Sequence, residues 1–97
     1  IVGGKPTSQH IATADHCAAD FTIPGADLAE VYDWIRLESR LPIDQLILEY
    51  GSDDAKQPAC IHVSWSKTPR YMALEGLTHN RSPYTANLFN APTDVSA

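Results

Sequence analysis

Cys60-Ile61-His62-Val63-Ser64-Trp65 alternates strictly, with Ile61, Val63 and Trp65 on one side of an extended chain and Cys60, His62 and Ser64 on the other. A period of two describes a strand with one apolar and one polar face. Upstream, Gln45-Leu46-Ile47-Leu48-Glu49-Tyr50 reads as a strongly apolar strand that finishes in a carboxylate and is closed by Gly51. Before it, residues 18–23 alternate again: Ala19, Phe21 and Ile23 point one way, Ala18, Asp20 and Thr22 the other, and Pro24-Gly25 ends the run. Between these strands Leu28, Val31, Tyr32 and Ile35 follow the spacing of an amphipathic helix over residues 27–40. Acids in its first turn and Arg40 in its last suit the helix dipole, and Pro42 blocks continuation. Residues 70–75 read as a further strand, and beyond Gly76 the periodicity fades. The expected fold is α+β, a small antiparallel sheet with one main helix on its apolar face. The expected division is a domain over residues 1–76 and a peripheral C-terminal tail over 77–97.

Composition limits what such a domain can do. The chain has 97 residues, 43% of them hydrophobic and 20% charged, which suits one small globular domain and excludes two cores. Seven basic residues against twelve acidic ones leave a net charge of −5 with no Lys/Arg cluster. Nucleic acid needs a basic face and is therefore not an expected partner. A polybasic membrane anchor is disfavoured for the same reason, and no apolar run is long enough to insert in a bilayer. The chain opens on Ile1 without a signal peptide, which reads as a processed or trimmed product. Cys17 and Cys60 are too few for a disulfide scaffold or an all-cysteine zinc site.

The two-faced strands carry the chemistry. Asp20 and His62 each sit mid-strand on a polar face, so the two faces coincide if both strands join one sheet. His10, in the preceding loop, and Glu49, at the end of the middle strand, could reach the same spot. Two imidazoles, one carboxylate and an open fourth position are the donor set of a catalytic zinc site. A nearby free carboxylate would then handle the proton. The bland alternative makes His62 a solvent-facing sheet residue and Asp20 a surface acid.

Val2-Gly3-Gly4-Lys5-Pro6-Thr7-Ser8-Gln9-His10, followed by Ala18-Ala19-Asp20-Phe21, resembles the Ser-x-His…Ala-x-Asp signature of the zinc D-alanyl-D-alanine carboxypeptidases and the related phage endolysin L-alanyl-D-glutamate peptidases. Ile43-Asp44-Gln45-Leu46-Ile47-Leu48-Glu49 and Ile61-His62-Val63-Ser64-Trp65 resemble the later segments of the same family, in the same order. The resemblance covers residues 2–65 and implies a hedgehog-like fold and hydrolysis of peptide bonds in peptidoglycan stem peptides. It makes His10, Asp20 and His62 ligands of Zn2+ and Glu49 the base or transition-state stabiliser. Ser8 and Ser64 would orient the ligands beside them. A peptidoglycan stem peptide as partner, a monomeric chain, and the cell wall or periplasm of a bacterium as location, with a bacterial or phage gene, follow from the same likeness.

The chain departs from the family in three places. Nine residues, Ile11 to Ala19, separate His10 from Asp20, more than is usual and without the central Gly, so His16 is an alternative first ligand. Ala59 stands where many relatives carry an acidic base. The upstream Ser-Gly-Tyr-Arg segment of relatives does not precede Ile1, which implies truncation. The last two departures keep open an alternative of another class, a non-catalytic, metal-stabilised binding module of the same fold in a phage or cell-wall assembly.

Ile1-Val2-Gly3-Gly4 also resembles the mature amino terminus of chymotrypsin-like serine proteases, with His16 in the place of their general base. No Gly-Asp-Ser-Gly-Gly segment follows, and a double barrel needs a much longer chain. His79 reads as a solvated loop residue, and Trp65, on the apolar face of its strand, as a core residue. Cys17 and Cys60 read as small buried hydrophobes, with a disulfide or a thiol beside the metal as the alternative.

Overall fold

A computed structural model describes residues 16–51, 57–77 and 84–92. Among the described residues, five strands and one helix follow in the order β1 (His16–Phe21), α1 (Leu28–Leu37), β2 (Gln45–Tyr50), β3 (Cys60–Ser66), β4 (Met72–Leu77) and β5 (Thr85–Asn87). They form one sheet in the order β1-β3-β2-β4-β5. The α+β class stands, but the sheet is mixed: β2 and β4 run parallel while the other pairs are antiparallel. The expectation of an antiparallel sheet fails because the chain between β3 and β4 crosses the end of β2 and returns in β2's own direction. The stretch 77–97 contributes β5 at the sheet edge and Phe89, which packs against the core.

Asp44 organises that crossing. It is 1% exposed and accepts hydrogen bonds from the Arg70 backbone N–H at 3.0 Å, Nε at 2.9 Å and Nη2 at 2.8 Å. The main chain adds two bonds, Tyr71 N–H to Ile43 O and Met72 N–H to Asp44 O. A buried carboxylate is stable only when its lone pairs are taken up, and the planar guanidinium does so in bidentate fashion. Tyr71 turns the corner at φ 55, in the left-handed region.

α1 begins where Asp27 caps it, accepting from the backbone N–H groups of Ala29 at 2.9 Å and Glu30 at 3.3 Å. At the other end Asn90 satisfies two terminal carbonyls, donating from its backbone N–H to Arg36 O and from Nδ2 to Leu37 O. The helix lays Leu28 and Tyr32 on β2 and β3, and the core is Leu28, Tyr32, Ile43, Leu46, Leu48, Ile61 and Ala73. The Tyr32 hydroxyl accepts from Asn87 Nδ2, which also donates to Glu75 Oε1, so the polar residues of β4 and β5 on this face satisfy one another.

The helix leaves the β1 side of this face uncovered. Trp65 lies there, 40% exposed, rather than in the core, because α1 sits over β2 and reaches only the near side of β3. An apolar cavity of about 340 Å³ opens beside it, lined by Cys17, Ala19, Leu41, Pro42, Val63 and Trp65. Cys17 is exposed on this face, so it is not the buried hydrophobe the sequence implied. Cys60 belongs to the opposite face, and both cysteines are free. No helix among the described residues is long and apolar enough to cross a membrane.

Candidate functional site

The face of the sheet opposite α1 carries the polar residues, and the strand registers arrange them in two rows. In the first row, antiparallel pairing sets Asp20 of β1 directly against His62 of β3, and His62 against Ile47 of β2. In the second, Cys60 of β3 faces Glu49 of β2, and Glu49 is in register with Gly76 of β4. The antiparallel β4–β5 register continues this row to Tyr84, the residue before β5. Side chains directly opposite one another approach closely, and those in adjacent rows remain within reach.

His62 Nδ1 lies 2.9 Å from Asp20 Oδ1, an N–H to carboxylate hydrogen bond. His62 is buried, at 9% exposure, while the Asp20 side chain is about half exposed. The pair thus joins an enclosed imidazole to a carboxylate at the rim. Ser64, the next residue of β3 on this face, is buried and turns its hydroxyl toward the Gln45 carbonyl of β2 at 3.5 Å.

Glu49 is the buried acid of the site, at 8% exposure. Burying a carboxylate carries a desolvation cost that donors must offset. Among the described residues, two groups supply such donors. The Cys60 thiol donates to Glu49 Oε1 at 3.2 Å, and the Tyr84 hydroxyl is hydrogen-bonded to the same carboxylate. Burial, then the Glu49 hydrogen bond and charge, push the Cys60 thiol up to about 12. Tyr84 is raised too, by burial first and then by the charge and hydrogen bond of Glu49. Both groups therefore remain protonated donors at neutral pH. The Cys60 thiol is thus held as a donor to Glu49 rather than activated as a nucleophile.

The structure thus brings Asp20, His62 and Glu49 onto one face. His10, His79 and Ser8 lie outside the described residues. His16, the alternative first ligand, begins β1 and shares the face of Asp20 by strand alternation, in register with Ser66. An imidazole and a carboxylate in contact are both donors that zinc accepts, so Asp20 and His62 fit as two ligands of an ion. Among the described residues, no group of three His, Cys, Asp or Glu side chains is placed to hold a metal. A third ligand beside this pair would come from outside the described residues.

Tyr84 is the site residue that the sequence did not reveal. Its neighbourhood, Ser82-Pro83-Tyr84, has no periodicity, and its partner Glu49 is far away in the chain. The only signal is indirect: Gly76 interrupts the outward-facing Met72 and Leu74 of β4 and leaves room for a ring. Compared with known proteins, the chain matches no family model, no curated protein and no solved structure.

Proposed function

We propose that the protein is a zinc-dependent metallopeptidase that hydrolyses peptide bonds in peptidoglycan stem peptides, with His10, Asp20 and His62 as metal ligands and Glu49 as the proton-handling carboxylate. The observation that carries this reading is the Asp20–His62 contact at 2.9 Å beside buried Glu49, all on the face away from the helix. The resemblance of residues 2–65 to the zinc carboxypeptidases and endolysin peptidases of the cell wall supports it from the sequence side.

When bound, zinc polarises a carbonyl and lowers the pKa of water, which is the chemistry that amide hydrolysis lacks at neutral pH. The chain supplies the rest. His62 and Asp20 offer an imidazole and a carboxylate from adjacent strands, which fixes their separation by the register of the sheet. Glu49 takes a proton from the attacking water at its carboxylate and returns it to the leaving amine. Cys60 and Tyr84 hold Glu49 in place as donors, and burial keeps bulk water from competing for it.

Metal content and hydrolysis test the reading together. The parent chain is expected to hold about one zinc per chain under the four-coordinate scheme of such sites. His10→Ala and His62→Ala should lose it, and His16→Ala should keep it. Glu49→Ala should keep zinc and lose hydrolysis of a stem-peptide substrate. A parent that binds no zinc after reconstitution, or binds zinc without hydrolysis under any condition, would overturn the peptidase and leave a binding module. Zinc lost with His16→Ala instead would move the first ligand.

A further inference from the structure

Glu49 and Tyr84 belong to strands that do not touch. By register, Tyr84 continues the β5 line, β4 lies between, and Glu49 is on β2. Two inter-strand spacings are about 9.6 Å, farther than either side chain reaches alone. The gap closes because the intervening position is glycine. A Cβ placed on Gly76 would lie 2.6 Å from Tyr84 Cδ1 and 3.2 Å from Cε1, so the ring occupies the space where a side chain would stand. The ring thereby passes over β4 at Gly76, and its hydroxyl is hydrogen-bonded to the Glu49 carboxylate. On its other side Glu49 meets the Cys60 thiol at 3.2 Å.

A carboxylate on a flexible three-torsion side chain acts as a base only when its orientation is fixed, and orientation comes from the groups that hydrogen-bond it. Cys60 alone is a weak donor. The phenol is the stronger of the two and comes from the opposite side.

We propose that Tyr84, seated on Gly76, is a positioning residue that fixes the Glu49 carboxylate for proton transfer. The inference rests on the peptidase reading above. Tyr84 acts through Glu49. Its hydroxyl aligns Glu49, and Gly76 makes its approach possible.

The test uses two variants and two readouts. Tyr84→Phe keeps the ring on Gly76 and removes only the hydroxyl. Gly76→Ala keeps the hydroxyl but forces the ring away. The first readout is the carboxyl chemical shift of Glu49 at neutral pH in the metal-free chain, which senses hydrogen bonds to that group. Loss of the Tyr84 donor should move this resonance in each variant. The second is steady-state hydrolysis of a synthetic stem peptide by zinc-loaded protein. There kcat should fall about tenfold, as on loss of an orienting hydrogen bond, with KM and zinc content unchanged.

An unmoved Glu49 carboxyl resonance in Tyr84→Phe would overturn the contact and the proposal whatever the activity. A moved resonance with an unchanged kcat, in a parent that hydrolyses the peptide, would overturn the positioning role alone. A parent without hydrolysis is a failure of the peptidase reading, and the positioning role falls with it. If Gly76→Ala fails to fold, Tyr84→Phe still decides the question.

Discussion

The Cys60 thiol offers the sharpest check on the polar face, because its surroundings set a reactivity that can be calculated. Its pKa rises from the ordinary 9.0 to about 12, with burial the largest cause and Glu49 next. At pH 8 roughly one unfolded thiol in ten is a thiolate, against roughly one in ten thousand in the folded chain, a ratio of about 10³. A more basic thiolate is also a better nucleophile. With a Brønsted slope of about 0.4–0.5, roughly 15- to 30-fold of the loss is recovered. The net expectation is attack on a chromogenic disulfide reagent about 30- to 60-fold slower in the folded chain than in denaturant, with restricted access adding to this. The assay uses Cys17→Ser, which removes the exposed thiol, so that all colour comes from Cys60. Glu49→Gln should then speed the folded reaction by roughly three- to tenfold and no more, since charge and acceptor strength are reduced while burial remains. A folded chain that reacts as fast as the unfolded one would refute the reasoning. So would a Glu49→Gln rate equal to that of its parent.

Other perturbations reach different parts of the molecule. Arg70→Ala removes the guanidinium from the buried Asp44 carboxylate and leaves the backbone N–H of residue 70, and should cost about 3 kcal/mol in urea unfolding; Arg70→Lys, without the bidentate geometry, should recover only part of that. Leu46→Ala, at a position with no exposed surface, should cost about 3 kcal/mol through lost burial and an unfilled cavity. Asp27→Ala removes the helix cap and should cost about 1 kcal/mol, with circular dichroism still reading a folded chain. Cys60 contributes a defined pH dependence. Its folded pKa lies above the unfolded one, so the folded state holds its proton more tightly; its contribution is complete below about pH 9 and is lost as pH rises toward about 12. Urea titrations of Cys60→Ser should accordingly show a shallower alkaline decline than the parent.

The parts of the fold that could be read from sequence are those where one face is apolar and the other polar. β2, β3 and α1 carry their burial pattern in the spacing of Leu46, Leu48, Ile61, Val63, Leu28 and Tyr32, and each element lies within a few residues of its expected place. The opposition of Asp20 and His62 was conditional on their strands sharing a sheet, which the β1–β3 pairing supplies. β4 was harder to orient. It turns Ala73 and Glu75 toward the helix side and Met72 and Leu74 away, so its larger apolar residues are on the side that periodicity would assign to solvent. Glu75 is tolerated on the inner side because Asn87 donates to it, a pairing that no local pattern announces. β5 is three residues long and mostly exposed, too short for a period to register. Trp65 misled for a related reason: alternation names the face but not how far the helix extends over it. The contact of Tyr84 with Glu49 depends on three strands being placed before it exists, so it belongs to the topology alone.

The route of the chain around Asp44 has a consequence for how the protein tolerates changes in length. The five residues 67–71 carry the chain from one flank of β2 to the other, and the amides of Arg70, Tyr71 and Met72 are all anchored to residues 43–44 during the passage. A deletion there would pull β4 out of its parallel register, and every side chain on it would change faces at a one-residue slip. Tyr84 would then lose its seat on Gly76, and Glu49 its phenol, although neither residue had been touched. Homologues and engineered forms should therefore vary freely in how they close other turns and keep this one at fixed length, which makes it a poor place for a tag and a sensitive place for indel scanning.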